Sequence, residues 1–389
     1  MSVSQIHRTP GSGMAAEASS VATFLFRSGR RARLANSGPT EFLYGFAELQ
    51  RGGAPVAMLE EQELGIERLF PRLVERGAGR LAGFCGIHAR VLHGLFRHRT
   101  QLSTAGTLIA TTHAVGIALA ALRRWGVLTQ DVVIMTMGII TPEASRLRLG
   151  WLRWLLAGTT LAALSRPEAA WLRSVLGPRV RVIDFTFGVD LEFWRPDNQR
   201  DRRDVVLSVG NDWNRDFATL IEAWRPEFPV LEIVTSLPVN TDKPNVSIVR
   251  GDWRRQELSD EDLRARLQRA RLVVVPLRDT LQPSGQSAAL QAMACGSPVV
   301  LTGNRGCWDR AMLERHDACR FVPPGDASAL AAMVAGLLAD TTAAGAMGAR
   351  ARHMLENEGI SAHAMARQFT EILPALRSSS EGRLQYGTA

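Results

Sequence analysis

Short, continuous apolar runs alternate along this chain with longer stretches in which apolar residues recur every three or four positions. The alternation is cleanest in the second half. There VVLSVG (205–210), LEIVTS (231–236), VSIVRG (246–251), RLVVVPL (271–277), SPVVLT (297–302) and CRFVPP (319–324) predict strands. The aliphatic run at 271–277 shows no polar alternation, which suits a strand covered on both faces. Helical spacing marks 216–224, 262–270, the stretch after Gly285, 307–316 and 326–340, the last with Asp326 as its N-cap. The first half repeats the plan less regularly. Strands are expected at 22–28, 55–60, 106–112 and 131–138, a helix over 39–53, and a mainly helical stretch over 143–177.

Strand and helix alternating at this pace predict parallel sheets with helices on both faces. The polar, charge-dense FWRPDNQRDRRD (193–204) divides the chain, and 389 residues exceed one ordinary core. The expected organisation is a disordered tail over 1–20, an N-terminal lobe over 21–197, a C-terminal lobe over 198–360, and a helix and tail over 361–389 that can return to the first lobe. Each lobe is read as a doubly wound, Rossmann-like α/β unit, with a cleft between the two.

One segment breaks the apolar pattern. PSGQSAALQAMACGSPVVL (283–301) is small and apolar except for Ser284, Ser287 and Gln291, which form one stripe on a helix. It starts just beyond a strand's carboxyl end, where open parallel sheets bind ligands. Gly285 removes side-chain bulk there, and first-turn amides with the helix dipole suit a phosphate. A competing reading has Ser284 simply capping the helix.

Charge and composition narrow the classes. Residues 1–200 hold 24 arginines, no lysine and 15 acids, and the rest of the chain is close to neutral. No nucleic-acid signature accompanies this excess, so a polyanionic substrate or an anionic membrane surface is the expected partner and nucleic acid is not. The basic, tryptophan-bearing stretch RLRLGWLRWLL (146–156) suits peripheral contact with such a surface. Lys243 is the only lysine and lies in a turn-like NTDKPN, which excludes a lysine-bearing phosphate loop and argues against a pyridoxal Schiff base. Cys85, Cys295, Cys307 and Cys319 form no C-x-x-C pair, and no secretory or membrane-spanning pattern is evident, so a cytoplasmic protein with free thiols is expected.

LQAMACGSPVVLT (290–302) resembles a segment of the family 4, or group 1, retaining glycosyltransferases, which have the two-lobed GT-B fold. FTFGVDLEFWRP (185–196), the strand–loop–helix at 205–224 and ALSRPEAAWLRSVLG (163–177) resemble further family pieces in the same order, covering roughly 110–340. The resemblance implies a nucleotide-sugar donor in the C-terminal lobe and a glycan, lipid-linked or polysaccharide-precursor acceptor in the N-terminal lobe. It implies sugar transfer with retention, with no metal and no cofactor beyond the donor. Donor contacts would come from Gly210, Asn211, Arg215, Ser284, Gly285, Gln286, Ser287 and Gln291, with Gln291 on ribose hydroxyls and Arg215 on the diphosphate. Small cleft-loop residues Gly38, Thr40 and Gly138 would allow close approach, and His113 and Arg215 are the catalytic candidates. Four positions depart from the family pattern: Pro283 and Gln291 stand where it has glutamates, Asn211 where it has arginine, and Met137 where it has histidine. A catalytically degenerate nucleotide- or glycan-binding protein and a sugar-nucleotide epimerase of the same fold are the rival readings.

Overall fold

The computed structural model describes residues 21–36, 38–66, 84–197, 204–251 and 258–373. The expected tail at 1–20, Ser37, the centre of the 193–204 connection and the last residues from 374 onward lie outside them.

The aliphatic runs form two six-stranded, wholly parallel sheets. The N-terminal sheet contains β1 (Ala22–Phe26), β2 (Val56–Glu60), β3 (Thr107–Ala110), β4 (Asp131–Thr136), β5 (Thr160–Ala163) and β6 (Arg181–Asp184) in the order β2-β1-β3-β4-β5-β6. The C-terminal sheet contains β7 (Val205–Val209), β8 (Val230–Thr235), β9 (Val246–Arg250), β10 (Leu272–Val275), β11 (Val299–Thr302) and β12 (Arg320–Val322) in the order β12-β11-β10-β7-β8-β9. The strand order reverses between β1 and β3 in one lobe and between β7 and β10 in the other. Those reversals open a crevice at the strands' carboxyl ends. Helices flank the sheets, and the architecture is the two-lobed α/β GT-B fold.

Two sequence expectations change. The helix over 39–53 is instead a 3-10 turn, Glu41–Leu43, and a helix, Phe46–Arg51. Tyr44 (φ 50°) and Gly45 (φ 83°) break it, and a Cβ on Gly45 would lie 2.5 Å from the backbone nitrogen of Ala366. The break lets a distant helix approach. The stretch 143–177 holds β5 between the helices Arg146–Leu155 and Arg166–Leu176; its Ala and Leu residues read as helical, but pairing with β4 and β6 and the burial of Leu161, Ala162 and Ala163 decide otherwise. β6 carried no clear apolar run.

The lobes share a core. Phe24, Phe46, Phe185, Trp194, Leu207, Val273, Leu290 and Phe369 belong to one buried cluster. The C-terminal helix Ala362–Ile372 packs on the N-terminal lobe, with the Phe369 ring 5.1 Å from Phe24 and 5.0 Å from Phe185. Arg352, on the helix Thr341–Asn357, donates to the carbonyls of Trp194 (2.8 Å) and Ala294 (3.0 Å), fastening the connection to the C-terminal lobe.

Candidate active site at the switch point of the C-terminal lobe

The loop after β7 and the loop after β10 are joined by backbone bonds. Asp216 N–H donates to Pro276 O (3.1 Å) and Arg278 N–H to Asn214 O (2.9 Å). Between them lies Arg215, 5% exposed. Its guanidinium sits directly over Gly210: a Cβ on that glycine would overlap Nε and Cζ and lie 2.6 Å from Nη2. Nε donates to Asp212 (2.8 Å), which fixes the plane of the fork. Asp216, the pairing partner that adjacency suggests, instead caps the next helix through Thr219. Nη1 is buried without a hydrogen-bond partner among the described residues and would lie 3.2 Å from a Cβ on Gly285.

Gly285 (φ 74°) is the N-cap of the helix Gln286–Ala294, and no side chain caps that helix. Ser284 is engaged elsewhere, accepting from Asn214 Nδ2 (2.8 Å), so the capping alternative is not realised. Ser287 is half-buried in the first turn, and the buried Gln286 Nε2 also lacks a partner among the described residues. Uncapped first-turn amides and an unpaired guanidinium nitrogen thus meet beside Gly285, and the next residue carries an unpartnered buried amide. Buried donors without acceptors are costly, about 1–3 kcal/mol each. A bound anion with several oxygens offsets that cost, and the helix dipole adds to its attraction.

The other expected donor residues lie elsewhere. Both ends of the Asn211 amide hold backbone: Nδ2 donates to Gly251 O (3.0 Å) and Oδ1 accepts from Ser236 N–H (2.6 Å). It braces three loops and is not free to take the place of an arginine on a phosphate. Gln291 crosses the lobe boundary: its Nε2 donates to Oε1 of Glu41 (2.9 Å), which also receives Trp194 Nε1 (2.9 Å). Glu41 is wholly buried, and burial raises its carboxyl above the ordinary value. Its other oxygen has no partner among the described residues. The polar seam therefore runs from Asn214 at one end to a buried interlobe acid at the other.

Across the cleft, Gly138 (φ 85°) follows β4 and faces Gln282; a Cβ there would sit 3.0 Å from Gln282 Cγ. Its N–H donates to Oε1 of Glu168 (2.7 Å), as does Ile139 N–H at 3.4 Å. Glu168 is buried, its carboxyl is raised by that burial against the pull of these amides, and Oε2 has no partner among the described residues. Gly138, Glu168, Thr141, Asp279, Gln282 and Arg305 line a pocket of about 70 Å³ between the lobes. Met137 packs against the shared core. Thr40 is bound through N–H (3.1 Å) and hydroxyl (3.2 Å) to Asp190, and Gly38 lies beside Arg33 and Asp260. His113 starts the helix after β3, at the switch point of the other sheet; partial burial, Arg27 and His88 lower its pKa. The structure thus groups Gly210, Arg215, Ser284, Gly285, Gln286 and Ser287, and sets His113 and Gln291 apart from them.

Sequence reasoning missed Asp212, Asn214, Glu41 and Glu168. Asp212, three residues before Arg215, was detectable as a local pair. Glu168 was visible only as the last residue of a Ser165-x-x-Glu168 capping pattern, Ser165 Oγ accepting Glu168 N–H (3.2 Å). Three cysteines, Cys295, Cys307 and Cys319, are pushed up to about 12 by burial, so none is a thiolate nucleophile. Among the described residues no group of three or more His, Cys, Asp or Glu is placed to hold a metal ion.

This geometry agrees with what the chain resembles. Residues 203–340 match the family model for group 1 glycosyl transferases. That group 1 segment contains the whole Arg215–Gly285 constellation. Sucrose-phosphate synthase from Thermosynechococcus elongatus has the same fold at 19% identity and a TM-score of 0.65, covering 92% of this chain and 99% of that one. HepE from Anabaena, solved in complex with UDP, aligns at 16% identity and a TM-score of 0.61 over 91% and 99% of the two chains. A glycosyltransferase from Rickettsia africae aligns at 12% identity and a TM-score of 0.62 over 92% and 98%. No curated protein sequence matches the chain significantly.

Proposed function

We propose that this protein is a retaining, metal-independent glycosyltransferase. It takes a nucleotide-sugar in the C-terminal lobe and delivers the sugar to a glycan, lipid-linked or polysaccharide-precursor acceptor on the N-terminal lobe. The observation that carries this reading is Arg215 Nη1, buried, unpartnered and set against the uncapped helix mouth at Gly285. The bond from the sugar's anomeric carbon to the diphosphate breaks as the acceptor hydroxyl, passing its proton to a diphosphate oxygen, forms the glycosidic bond, and negative charge builds on the leaving diphosphate in the transition state. A fixed guanidinium and oriented amides stabilise that charge without reorganising. Same-face attack then needs no protein nucleophile, and burial keeps the thiols of Cys295, Cys307 and Cys319 from ionising to provide one. The group 1 segment supports sugar transfer, and the UDP bound by HepE supports a nucleoside diphosphate ligand.

The first test is a melting-temperature panel of UDP, ADP, GDP and CDP, followed by turnover of the matching labelled nucleotide-sugars. One nucleoside diphosphate is expected to stabilise the chain by about 2.7 kcal/mol at a hundred times its Kd, and its sugar conjugate to be consumed. Stabilisation without turnover would favour the degenerate, binding-only reading, which Asn211, Gln291 and Met137 keep in view. No stabilisation by any of the four would remove both.

The proposed acceptor side includes an anionic bilayer. Among the described residues, Phe84, Phe96, Trp125, Leu147 and Trp154 of the N-terminal lobe are large, apolar and exposed. Arg124 lies 4.7 Å over the Trp154 ring and Arg99 4.7 Å over Phe96. Trp151 is tied down, its Nε1 donating to Cys85 O (3.1 Å), so Trp154 and Leu147 carry the surface. No single described helix is long and apolar enough to cross a membrane. Flotation with phosphatidylglycerol vesicles at low salt is expected, and Leu147→Ser with Trp154→Ser is expected to abolish it. Flotation unchanged by both substitutions would contradict the assignment.

A further inference from the structure

The pocket of about 70 Å³ between the lobes has two unlike walls. On the C-terminal side, residues 279–282 lead directly into Ser284 and the helix mouth at Gly285. Gln282 Oε1 accepts from Asn214 Nδ2 (3.2 Å), and the same amide donates to Ser284 Oγ (2.8 Å). This wall is therefore continuous with the loop that carries Arg215. On the N-terminal side is the turn after β4, where Gly138 lets backbone come up against Gln282. Glu168 supports that turn from the first turn of the helix Arg166–Leu176. The same helix start is latched to the other lobe: Arg166 N–H donates to Trp308 O (3.2 Å), and its guanidinium pairs with Asp309 (3.1 Å). Gln282 and Gly285 lie three residues apart, so a sugar held through its phosphate at the helix mouth meets this pocket next.

The charges of the lining are lopsided: three acids, Glu143, Glu168 and Asp279, face one base, Arg305. Arg305 is already committed, its Nε to Asp279 Oδ2 (3.0 Å) and its backbone N–H to Oδ1 (3.1 Å). Glu143 is exposed at the rim. Glu168 differs from both neighbours. It is 1% exposed, Oε1 takes the amides of Gly138 and Ile139, and Oε2 has no hydrogen-bond partner among the described residues. The buried Thr136 hydroxyl makes no hydrogen bond with it either. Ionised, Oε2 is a buried acceptor without a donor; protonated, it is a buried donor without an acceptor. Both states are costly.

We propose that Glu168 hydrogen-bonds a hydroxyl of the transferred sugar, so that the pocket selects a neutral sugar over an acidic one. The inference rests on the nucleotide-sugar reading above and adds the class of sugar. A hydroxyl both donates and accepts, so it satisfies Oε2 in either protonation state. A carboxylate brings a further negative charge to a lining that already holds two uncompensated ones, and like-charge contact suppresses the wrong partner. The size of the pocket agrees with this. It has room for a few water-sized groups, which suits the hydroxyl-bearing edge of a sugar ring. Glu168 moves no proton in the transfer; it reads the sugar away from the bond that breaks, and Oε1 keeps the Gly138 turn in place.

The test uses the full chain and titrates three ligands: the nucleoside diphosphate selected by the melting panel, its glucose conjugate and its glucuronate conjugate. Wild type is expected to bind the glucose conjugate more tightly than the glucuronate conjugate by about tenfold or more. Glu168→Gln keeps an acceptor for the Gly138 and Ile139 amides but removes the charge. It is expected to narrow that ratio severalfold while affinity for the bare nucleoside diphosphate stays unchanged. A purely structural role would shift both conjugates alike and leave the ratio where it was. Should Glu168→Gln not fold, Gln282→Glu decides, since an added acid on the half-buried opposite wall is expected to widen the ratio. The proposal is overturned when wild type binds the glucuronate conjugate as tightly as the glucose conjugate, or when the ratio survives a folded Glu168→Gln unchanged. Either result leaves nucleoside diphosphate binding intact, and so the donor reading stands. Absence of binding by any nucleoside diphosphate removes the donor reading and this proposal together.

Discussion

Gly210→Ala is expected to weaken nucleoside diphosphate binding by about ten- to a hundredfold while both sheets persist. The cause is steric and local. The Arg215 guanidinium occupies the space that a Cβ at position 210 would take, and Asp212 holds its Nε so that Nη1 points to the helix mouth. A single methyl group therefore displaces the cation from the phosphate. Charge-assisted hydrogen bonds contribute about 1.5–3 kcal/mol each, which sets the size of the loss. Arg215→Lys is expected to recover only part of the affinity, since an ammonium has no planar fork to hold against both Asp212 and a phosphate. Calorimetric titration with the selected nucleoside diphosphate measures the loss, and circular dichroism reports the fold. Unchanged affinity in Gly210→Ala would mean that Arg215 does not meet the ligand.

The second large effect concerns Gln291, the position where the resembled family has glutamate. Restoring that residue, Gln291→Glu, is expected to destabilise the chain by about 2–4 kcal/mol at neutral pH. The new carboxyl would face Glu41, wholly buried, across 2.9 Å, and two acids there cannot both ionise. Holding one of them protonated from an ordinary value of 4.5 up to neutral pH costs about 1.36 kcal/mol per unit. Below about pH 4.5 both acids are protonated in the folded and the unfolded chain, and the difference from wild type is expected to vanish. As pH rises, the unfolded chain releases its protons first, so the loss grows. Glu41→Gln in the same background exchanges the two residues and is expected to restore most of the stability. Urea denaturation at several pH values gives all four corners of that cycle. A Gln291→Glu variant as stable as wild type at pH 7 would mean that the two side chains do not share a buried site.

That pair also shows where the sequence stops being informative. Ten of the twelve strands were legible as short, largely aliphatic runs, as in RLVVVPL, and covered strands need nothing else. β5 was hidden because Thr160–Ala163 has the composition of its flanking helices, and only its pairing with β4 and β6 makes it a strand. The break at Tyr44 and Gly45 was hidden because its cause is the backbone of Ala366, far away in sequence. The helix mouth could be read from Gly285 after a strand end, since that geometry is local, and Arg215 could be placed near it by order along the chain. Asn211 could not be read as a brace, because its partners come from the loops after β8 and β9. Gln291 looked like a weakened ligand for hydroxyls, because nothing near it in sequence points to Glu41. Departures from a family pattern are ambiguous until the opposing side chain is known; here Glu41 supplies a physical reason for an amide in place of an acid.

The claim on which the functional reading depends is that a pyrophosphate occupies the gap between Arg215 and the first turn at Gly285. The most direct measurement is a crystal structure of the complex with the nucleoside diphosphate selected by the melting panel. The predicted result is a β-phosphate with oxygens about 3 Å from Arg215 Nη1 and from the backbone nitrogens of Gln286 or Ser287. Phosphates bound elsewhere, with Nη1 still unpartnered and the helix mouth uncontacted, would contradict the account.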